Sequence, residues 1–353
     1  MDRIDFRSDT VSWPTPEMRQ AMAAAPVGDD VYGEDPSVNR LEAVAAERLG
    51  MEAGLFVASG TMGNLAAILC HAERGDEAIL GYESHVFQWE AGGMAALGGI
   101  MPHPLPTDSE GRMDPTEVEA AVRGDDPHLP RSRLLLVENS FGGRAGAPLP
   151  PEYFARLREI ADRHSLAVHL DGARLFNAAV ALGVEPHELT REVDSATFCL
   201  SKGLCAPVGS VLCGNRDFVD RARRVRKSLG GGMRQAGVLA AAGLVALEKM
   251  TARLADDHAH ASMLAEGLTG IAGIRVDPAT VKTNIVHFEL TAEVGLRPEE
   301  LERRLLEEHG IGVGLYPPDL LRAATHYWVG PDEVGALLDA LRKILDSKVS
   351  GSS

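Results

Sequence analysis

The segment that decides the fold reads Leu166-Ala167-Val168-His169-Leu170-Asp171-Gly172-Ala173-Arg174, an apolar run that turns polar at Asp171. The same change recurs at Ala196-Thr197-Phe198-Cys199-Leu200-Ser201-Lys202-Gly203. An earlier apolar run, Leu134-Leu135-Leu136-Val137, is separated from the first segment by a predicted amphipathic helix, Pro151 to His164. Apolar strands that alternate with helices are typical of a mostly parallel sheet with helices on both faces. We therefore predict an α/β fold.

The pattern changes near Met250, and the remainder predicts a second, smaller domain. A helix is predicted from Thr251 to Leu268, followed by a strand, Asn284 to Leu290, in which apolar and polar residues alternate. Such alternation is typical of a sheet with one face in water. We expect a large domain with an N-terminal arm over residues 1–250, a smaller C-terminal α+β domain over residues 251–347, and a tail over residues 348–353.

The composition argues against several classes of protein. The chain has 353 residues, 45% of them hydrophobic, and a net charge of −16 from 35 basic and 51 acidic side chains. This acidic excess argues against a protein that binds nucleic acids or anionic membranes, which would need a basic face. The longest apolar run, Ala236 to Leu247, is too short to cross a bilayer. The four cysteines form no Cys-x-x-Cys pair and the N-terminus carries no apolar signal segment, so we expect a cytoplasmic protein.

Asp171 and Lys202 each follow directly on a predicted strand. Because the C-terminal ends of parallel strands share one edge of a sheet, where α/β proteins bind ligands, we expect this acid and this amine to face one site. A lysine so placed can form a Schiff base with pyridoxal phosphate, while an acid holds the pyridine nitrogen protonated. Taken singly, a surface lysine and a helix-capping aspartate are the simpler interpretations. The two together, in this order, favour the cofactor.

The turn Ser59-Gly60-Thr61-Met62-Gly63-Asn64 separates an apolar strand from a predicted helix. The first backbone N–H groups of a helix, a threonine hydroxyl and the helix dipole together suit a phosphate group. The alternative is a simple N-cap. Neither the GxGxxG fingerprint of dinucleotide-binding proteins nor the GxxxxGK[ST] phosphate loop occurs, which disfavours a nucleotide-dependent oxidoreductase.

Two histidines near these segments receive different interpretations. His85 could stack on the cofactor ring and relay protons, because the ordinary pKa of histidine is about 6.5; the alternative is a structural histidine. His169 alternates with Asp171 along one predicted strand, and we expect it to point away from Asp171 and to be structural.

A local excess of cations lies between Arg216 and Arg234. A phosphate and a substrate carboxylate need cations nearby. We select Lys227 and Arg234, which flank a glycine-rich loop, as the candidates to bind these anions. A solvated helix accounts for the other cations. Arg322 lies on a predicted strand of the smaller domain, where a bound carboxylate or a structural ion pair would offset its burial. No metal-ligand spacing and no GxSxG elbow occur, so we predict no metal site.

Six ordered motifs resemble low-specificity L-threonine aldolases, which are fold-type I pyridoxal-phosphate enzymes of the threonine aldolase and β-eliminating lyase group. The resemblance extends from residue 5 to the final helix. The motifs are Asp5-Phe6-Arg7-Ser8-Asp9-Thr10-Val11, Val27-Gly28-Asp29-Asp30-Val31-Tyr32-Gly33-Glu34-Asp35-Pro36, Ser59–Asn64, His169–Arg174, Ser201-Lys202-Gly203 and Gly230-Gly231-Gly232-Met233-Arg234-Gln235.

The resemblance implies a role for residues in most of these motifs. Lys202 would bind the cofactor covalently, Asp171 would pair with its pyridine nitrogen and His85 would stack on its ring, and these are the expected catalytic residues. Further cofactor contacts are implied for Gly60, Thr61, Arg174, Lys227 and Arg234, and substrate contacts for Ser8, Tyr32, Arg174 and Arg322. The family further implies a homotetramer with active sites at a dimer interface, so that some of these residues would come from a neighbouring subunit.

Two positions depart from the family pattern. Many members have Thr-His after a Glu-Asn strand end, whereas Phe141 occupies the histidine position here. Phenylalanine cannot accept a proton, so either His85 or a water would take the β-hydroxyl proton, or the substrate differs. We expect Phe141 to contact the substrate and to favour aromatic β-hydroxy amino acids. Cys205 replaces a glycine that is common in the family.

The expected reaction is reversible retro-aldol cleavage of a β-hydroxy-α-amino acid, such as L-threonine, L-allo-threonine or phenylserine, to glycine and an aldehyde. A related pyridoxal-phosphate lyase acting by β-elimination, or an aminotransferase, would use the same lysine and acid. A non-catalytic binding protein of this fold would tolerate loss of Lys202, which is present.

Overall fold

The computed structural model describes residues 3–316 and 319–349 of the chain. The strands are β1 (Ile4–Asp5), β2 (Ala53–Val57), β3 (Glu77–Gly81), β4 (Met101–Leu105), β5 (Ser132–Glu138), β6 (Ala167–Asp171), β7 (Ser195–Cys199), β8 (Ser210–Gly214), β9 (Ile274–Arg275), β10 (Ile285–Leu290), β11 (Ile311–Gly312), β12 (Gly314–Tyr316) and β13 (Leu320–Ala324).

The α-helices are α1 (Pro16–Ala23), α2 (Pro36–Arg48), α3 (Gly60–His71), α4 (His85–Gln88), α5 (Pro115–Ala121), α6 (Pro151–His164), α7 (Leu175–Leu182), α8 (Pro186–Thr190), α9 (Arg216–Ser228), α10 (Gly237–Val245), α11 (Leu254–Thr269), α12 (Pro298–His309) and α13 (Pro331–Val349). The expected tail therefore begins inside α13, and residues 350–353 lie outside the described part of the chain. None of the described helices is both long and apolar enough to span a membrane.

The larger unit, Pro14–Thr251, is built on a seven-stranded sheet with the order β2-β8-β7-β6-β5-β3-β4. The five strands from β7 to β4 run parallel to their neighbours, whereas β8 is antiparallel to both β7 and β2. The side chains of β3, β7 and β8 are buried throughout, as expected for a sheet covered on both faces. The mostly parallel sheet predicted from the apolar runs is confirmed.

The register of the central strands aligns their C-terminal ends. Glu138 of β5 pairs with Asp171 of β6, and Asp171 pairs in turn with Thr197 of β7. The Gly172 backbone N–H donates a 2.7 Å hydrogen bond to the Thr197 carbonyl, which continues the alignment beyond the strands. The residues that follow β5, β6 and β7 therefore converge at one edge of the sheet.

Helix α3 is held against this edge by apolar packing. Ala66 and Ala67 of α3 belong to one buried cluster with Leu55 and Leu212 of the sheet, while Ile68 belongs to a second cluster on the neighbouring strands. The N-terminus of α3 is thereby placed at the C-terminal edge of the sheet.

The smaller unit consists of the segment that ends at Trp13 and the chain from Ala252 onward. Its four-stranded sheet, β12-β13-β10-β9, is antiparallel, and α11, α12 and α13 supply much of its apolar core. We expected the N-terminal arm to belong to the large domain, but it groups with this unit. The arm groups with this unit because β1 pairs with β11 and Phe6 is fully buried in the core. The ring of Trp13 also stacks on that of Trp328, with the ring centroids 4.6 Å apart.

Candidate active site

Asp171 and Lys202 lie at the same edge of the sheet. Asp171 is the last residue of β6, and Lys202 follows β7, which ends at Cys199. The Lys202 carbonyl accepts a 2.8 Å hydrogen bond from the Cys205 backbone N–H, so the lysine begins a tight turn. The charges of both Asp171 and Lys202 act on the side chain of His85. The structure thus brings the three expected catalytic residues together.

Asn64, in the first turns of α3, holds two carboxylates side by side. Its amide nitrogen donates to Oδ2 of Asp171 at 2.9 Å and to Oε1 of Glu90 at 3.0 Å. The other oxygen of Asp171, Oδ1, accepts a 3.0 Å hydrogen bond from the Ala173 backbone N–H. The Asp171 carboxylate is therefore fixed by a donor on each oxygen, which leaves further lone pairs for a ligand.

His85 begins α4 and joins the same network. Its Nδ1 lies 2.9 Å from Oε1 of Glu90. Burial lowers the pKa of His85, but the Glu90 hydrogen bond and the charges of Asp171 and Glu90 outweigh burial and the opposing charge of Lys202, so the pKa is raised above its ordinary value. Because Glu90 binds Nδ1, the ring atom that can exchange a proton with a ligand is Nε2.

Glu138, the last residue of β5, is a buried acid that the sequence analysis did not assign. Its carboxylate accepts hydrogen bonds from the backbone N–H groups of His85 at 2.7 Å and Gly142 at 2.8 Å. Burial and the charge of Asp171 raise the pKa of Glu138 to about 7, although both hydrogen bonds act in the opposite direction. A Cβ on Gly142 would lie 3.3 Å from Oε1 of Glu138 and 3.9 Å from Nη1 of Arg174, so Arg174 reaches the same loop.

His169 lies on the same face of β6 as Asp171, and the expectation that it points away is wrong. Residues two apart on a strand share a face, because the side chains alternate with a period of two. Nε2 of His169 lies 3.2 Å from Oδ1 of Asn64, and Nδ1 lies 2.8 Å from Oγ of Ser195. The hydrogen bonds of His169 therefore lead through Asn64 to Asp171.

The expected phosphate turn forms the start of α3. Ser59 caps the helix by accepting a 3.1 Å hydrogen bond from the Met62 backbone N–H. A Cβ on Gly60 would lie 3.0 Å from Sγ of Cys199, and a Cβ on Gly63 would lie 2.7 Å from Cγ2 of Thr197. These glycines allow α3 to approach the end of β7. The N-terminal N–H groups of Gly60 and Thr61, which have no partners inside the helix, therefore lie beside the strand that leads to Lys202.

The cation cluster of α9 divides into structural ion pairs and exposed cations. Arg226 is buried and pairs with Asp30 at 2.6 Å, while Arg223 pairs with Glu42 at 2.8 Å. These arginines are anchored rather than solvated. Lys227, one of the two selected cations, is exposed in the last turn of the helix.

Arg234 and Tyr32 lie around the loop that Asp30 anchors. Arg234 pairs with Asp29 at 3.0 Å through a side chain that is 55% exposed, and its carbonyl accepts a 3.1 Å hydrogen bond from the Asp30 backbone N–H. Tyr32 is 75% exposed. Their roles toward a cofactor or substrate stay predictions.

Ser8 and Arg322 belong to the smaller unit. Ser8 caps the short helix Asp9–Val11, with its hydroxyl accepting a 3.3 Å hydrogen bond from the Thr10 backbone N–H. Arg322 lies on β13, as predicted, opposite His287 of β10. Substrate binding by either residue stays a prediction.

The two departures from the family pattern have distinct surroundings. Phe141 is buried, and its ring packs on Gly111, where an added Cβ would lie 2.3 Å from Cγ of Phe141. Its contact with a substrate stays a prediction. Cys205 is fully buried with a φ of 63°, in the left-handed region that favours glycine, the residue that the resemblance implies at this position.

The arrangement fits pyridoxal phosphate. The start of α3 offers an anion site, Asp171 offers a buried carboxylate, and Lys202 offers an amine at the same edge of the sheet. The hydroxyl oxygens of Ser84 and Ser140, which precede His85 and follow Glu138-Asn139, are buried without a partner among the described residues. Such groups are available to a ligand.

One cluster also has the spacing of metal ligands. Atoms of His85, Glu90 and Asp171 lie within 4.8 Å of one another. The Asn64 amide donates to both carboxylates, so we interpret the cluster as a hydrogen-bonded network.

Three residues of this network, Asn64, Glu90 and Glu138, were not singled out from the sequence. Asn64 is part of the quoted phosphate turn, Glu90 follows His85 closely, and Glu138 ends an apolar strand. The strand-end position of Glu138 is the signal that also identified Asp171 and could have identified this acid.

Comparison with known proteins places the chain in a family. It matches the model of the Beta-eliminating lyase family over residues 5–291. It is 45% identical over 350 residues to low-specificity L-threonine aldolase 1 of Arabidopsis thaliana, covering 98% of this chain and 97% of that protein. It is 51% identical over 265 residues to the low specificity L-threonine aldolase of Escherichia coli K12, covering 75% and 79%.

The fold is also shared with solved structures. The threonine aldolase of Leishmania major superposes with a TM-score of 0.81 over 97% of this chain and 99% of that one, at 20% identity. This likeness confirms the predicted α/β architecture of fold-type I enzymes. On the model match and the identity to its relatives, the chain belongs to the Beta-eliminating lyase family of pyridoxal-phosphate enzymes and, within it, to the low-specificity L-threonine aldolases.

Proposed function

We propose that this protein cleaves β-hydroxy-α-amino acids, L-threonine among them, to glycine and an aldehyde in a reversible retro-aldol reaction. The observation that carries the proposal is the convergence of Lys202, Asp171 and His85 at one edge of the sheet. The names and identities of its relatives support the same reaction. L-allo-Threonine and phenylserine are proposed as further substrates.

Pyridoxal phosphate, when bound, supplies an electron sink that accepts the electrons of the breaking Cα–Cβ bond. In our proposal the Lys202 amine binds the cofactor covalently, and the Asp171 carboxylate accepts a hydrogen bond from its pyridine nitrogen. The N-terminal N–H groups of α3 at Gly60 and Thr61 bind the phosphate. The exposed cations Lys227 and Arg234 add positive charge for the same anion in the assembled protein.

His85 is the group that we assign to take the β-hydroxyl proton. Phe141 stands at the position of the second imidazole and cannot act as a base. Glu90 orients the His85 ring through Nδ1 and, with Asp171, raises its pKa, so Nε2 is a stronger base than an ordinary imidazole. A water held by His85 is the alternative acceptor.

The substrate carboxylate needs cations that set the orientation of the Cα–Cβ bond. Arg174, whose Nη1 lies near the Gly142 loop that contacts Glu138, is the cation of the larger unit for this role. Substrate binding by Arg322 and by Ser8 is a further proposal, carried by the family resemblance. Bidentate guanidinium–carboxylate pairing would fix the orientation of the substrate, and with it the direction of the Cα–Cβ bond.

We also propose a homotetramer with active sites at a dimer interface. Three apolar side chains of one loop are substantially exposed in the single chain, with Val27 at 45%, Val31 at 41% and Tyr32 at 75%. The same loop is bonded to Arg234, so a partner subunit that covers it would also reach an expected site residue. Sedimentation would measure the mass of the assembly.

A cytoplasmic location stays a proposal that cell fractionation would test.

The decisive experiment incubates the purified protein and pyridoxal phosphate with L-threonine, L-allo-threonine and phenylserine. We expect glycine and the corresponding aldehyde in equal amounts. Ammonia with a keto acid would identify β-elimination, and amino-group transfer to an added keto acid would identify an aminotransferase; either would contradict the proposal.

A lysine variant tests the assignment of the amine. Lys202→Ala should lose both turnover and the violet-region absorbance of the lysine-bound cofactor. Lys343→Ala, at an exposed lysine of α13, should keep both and serves as the matched control. Full activity of Lys202→Ala would refute the assignment.

A further inference from the structure

We propose that Asn64 and His169 are positioning residues for the Asp171 carboxylate. They belong to a hydrogen-bonded chain that starts at His71, passes through Ser195 and ends at Asp171, and in which all donors point the same way. The inference rests on the proposed function, in which Asp171 bonds to the pyridine nitrogen. It adds a role for four polar residues that the proposed reaction does not otherwise use.

The chain crosses three elements of the larger unit. Nε2 of His71, in α3, lies 2.8 Å from Oγ of Ser195 in β7, and that hydroxyl lies 2.8 Å from Nδ1 of His169 in β6. Nε2 of His169 lies 3.2 Å from Oδ1 of Asn64, whose amide nitrogen lies 2.9 Å from Oδ2 of Asp171. His169 and Ser195 are fully buried, and Asn64 and Asp171 nearly so.

The direction of the hydrogen bonds follows from the Asn64 amide. The amide nitrogen is assigned to the side that faces two carboxylate oxygens, of Asp171 and Glu90. An amide oxygen on that side would meet only acceptors. The Asn64 oxygen therefore faces His169 and must accept a proton from it. Hence Nε2 of His169 carries the hydrogen.

The rest of the chain is then determined step by step. Burial lowers the pKa of His169 to about 3, although a backbone hydrogen bond of Ser195 acts in the opposite direction, so the ring is neutral at pH 7. Because the single hydrogen of the neutral ring is on Nε2, Nδ1 can only accept. The Ser195 hydroxyl donates to that nitrogen and accepts from Nε2–H of His71. Burial also lowers the pKa of His71, to about 4, so His71 is neutral with its hydrogen on Nε2.

Every donor in the chain consequently points toward Asp171. Aligned hydrogen bonds polarise one another in a buried, low-dielectric site, and here their positive ends converge on a carboxylate. The opposite direction would require protons on both Asp171 and Glu90. The chain thus fixes the orientation of Asp171 and stabilises its negative charge.

Asn64 is also a junction. The same amide that bonds to Asp171 bonds to Glu90, and Glu90 bonds to Nδ1 of His85. One side chain therefore sets the acid for the pyridine nitrogen and, through Glu90, the imidazole assigned as base. A purely structural amide would not need to join both groups.

The first test compares the affinities of the cofactor-free protein for pyridoxal phosphate and for its 1-deaza analogue, which lacks the pyridine nitrogen. The wild type should prefer pyridoxal phosphate, and the preference should fall at least tenfold in Asn64→Leu and in His169→Leu. His169→Gln keeps one donor and one acceptor and should retain most of the preference. Equal weakening of both ligands in the leucine variants would overturn the proposal.

A matched control guards against general destabilisation. Thr190 is buried, and its hydroxyl donates a 2.7 Å hydrogen bond to the Leu49 carbonyl. Neither residue belongs to the hydrogen-bonded chain that leads to Asp171. Thr190→Val should lose stability without changing the ratio of the two affinities. A similar loss of preference in Thr190→Val would count against a specific role for His169.

The second test uses the unaltered protein and so does not depend on variants that fold. ¹⁵N-histidine NMR should show His71 and His169 as neutral rings with the hydrogen on Nε2. Hydrogen on Nδ1 of His169 would overturn the direction of the chain. Failure of the proposed function would appear separately, as wild-type protein that releases no glycine from β-hydroxy amino acids.

Discussion

Arg226 and Asp30 form a buried ion pair across 196 positions of sequence, with Nη2 of the arginine 2.6 Å from Oδ2 of the aspartate. Nη1 of Arg226 also donates to the Phe56 carbonyl at 2.7 Å. This pair anchors the loop that carries Tyr32 to α9. Breaking it from one side leaves a buried charge without its partner.

Arg226→Met should therefore lower the free energy of unfolding by about 3–5 kcal/mol, the usual cost of an uncompensated buried charge. The control is Arg224→Met, at an exposed position of the same helix, which should change stability by less than about 0.5 kcal/mol. Urea denaturation of both variants measures the difference. Equal, small effects would mean that Asp30 finds another partner.

Gly111→Ala should destabilise the protein by about 2–4 kcal/mol. Gly111 has a φ of +85°, and an added Cβ would lie 2.3 Å from Cγ of Phe141. The left-handed backbone and the overpacked ring both oppose a side chain there. Gly124→Ala is the control, because nothing lies within 4 Å of its Cβ position and its φ is not positive. Thermal unfolding should show Gly124→Ala unchanged or slightly more stable.

Cys205→Gly should be more stable than Cys205→Ala by about 1 kcal/mol, although glycine fills less space, because the φ of 63° favours glycine. At Cys213, an equally buried cysteine in β8, the order should reverse. Denaturation of the four variants tests both orders. The same order at the two sites would contradict a backbone effect at Cys205.

Stability should fall as the pH is lowered below about 6.5, with His169 as one cause. The pKa of His169 is lowered to about 3 in the folded protein, so between these pH values the unfolded chain binds a proton that the folded protein does not. Each such histidine lowers stability by about 1.4 kcal/mol per pH unit in that range.

His169→Gln should therefore flatten the pH dependence of unfolding between about pH 6 and pH 4 by one proton's contribution. The wild type supplies the reference slope. Urea unfolding at several pH values measures both slopes. An unaltered slope for His169→Gln would mean that the histidine titrates similarly in the folded and unfolded chain.

The sequence alone is a good guide where one short segment carries its own signal. The strands that end at Asp171 and Cys199 and the helix Pro151–His164 were predicted within a residue or two, because apolar runs and helical periodicity are local properties. The acid and the amine could be assigned to one edge of the sheet, since parallel strands leave little choice about where their ends meet.

Features that depend on contacts between distant segments were missed. The grouping of the N-terminal arm depends on the pairing of β1 with β11, about which the arm itself contains no information. Asn64 and Glu90 gain their roles only when α3 packs beside β6 and α4. The error at His169 has a different origin, because the period of a strand already places it with Asp171.

The close approach of α3 to β7, which Gly60 and Gly63 permit, has a consequence for the order of folding. The partners that meet there are far apart along the chain, with 107 positions between Asn64 and Asp171 and 124 between His71 and Ser195. Closing loops of that length costs entropy before any contact compensates for it. We therefore expect the acid end of the site to assemble late in folding, so that early intermediates would bind the cofactor weakly.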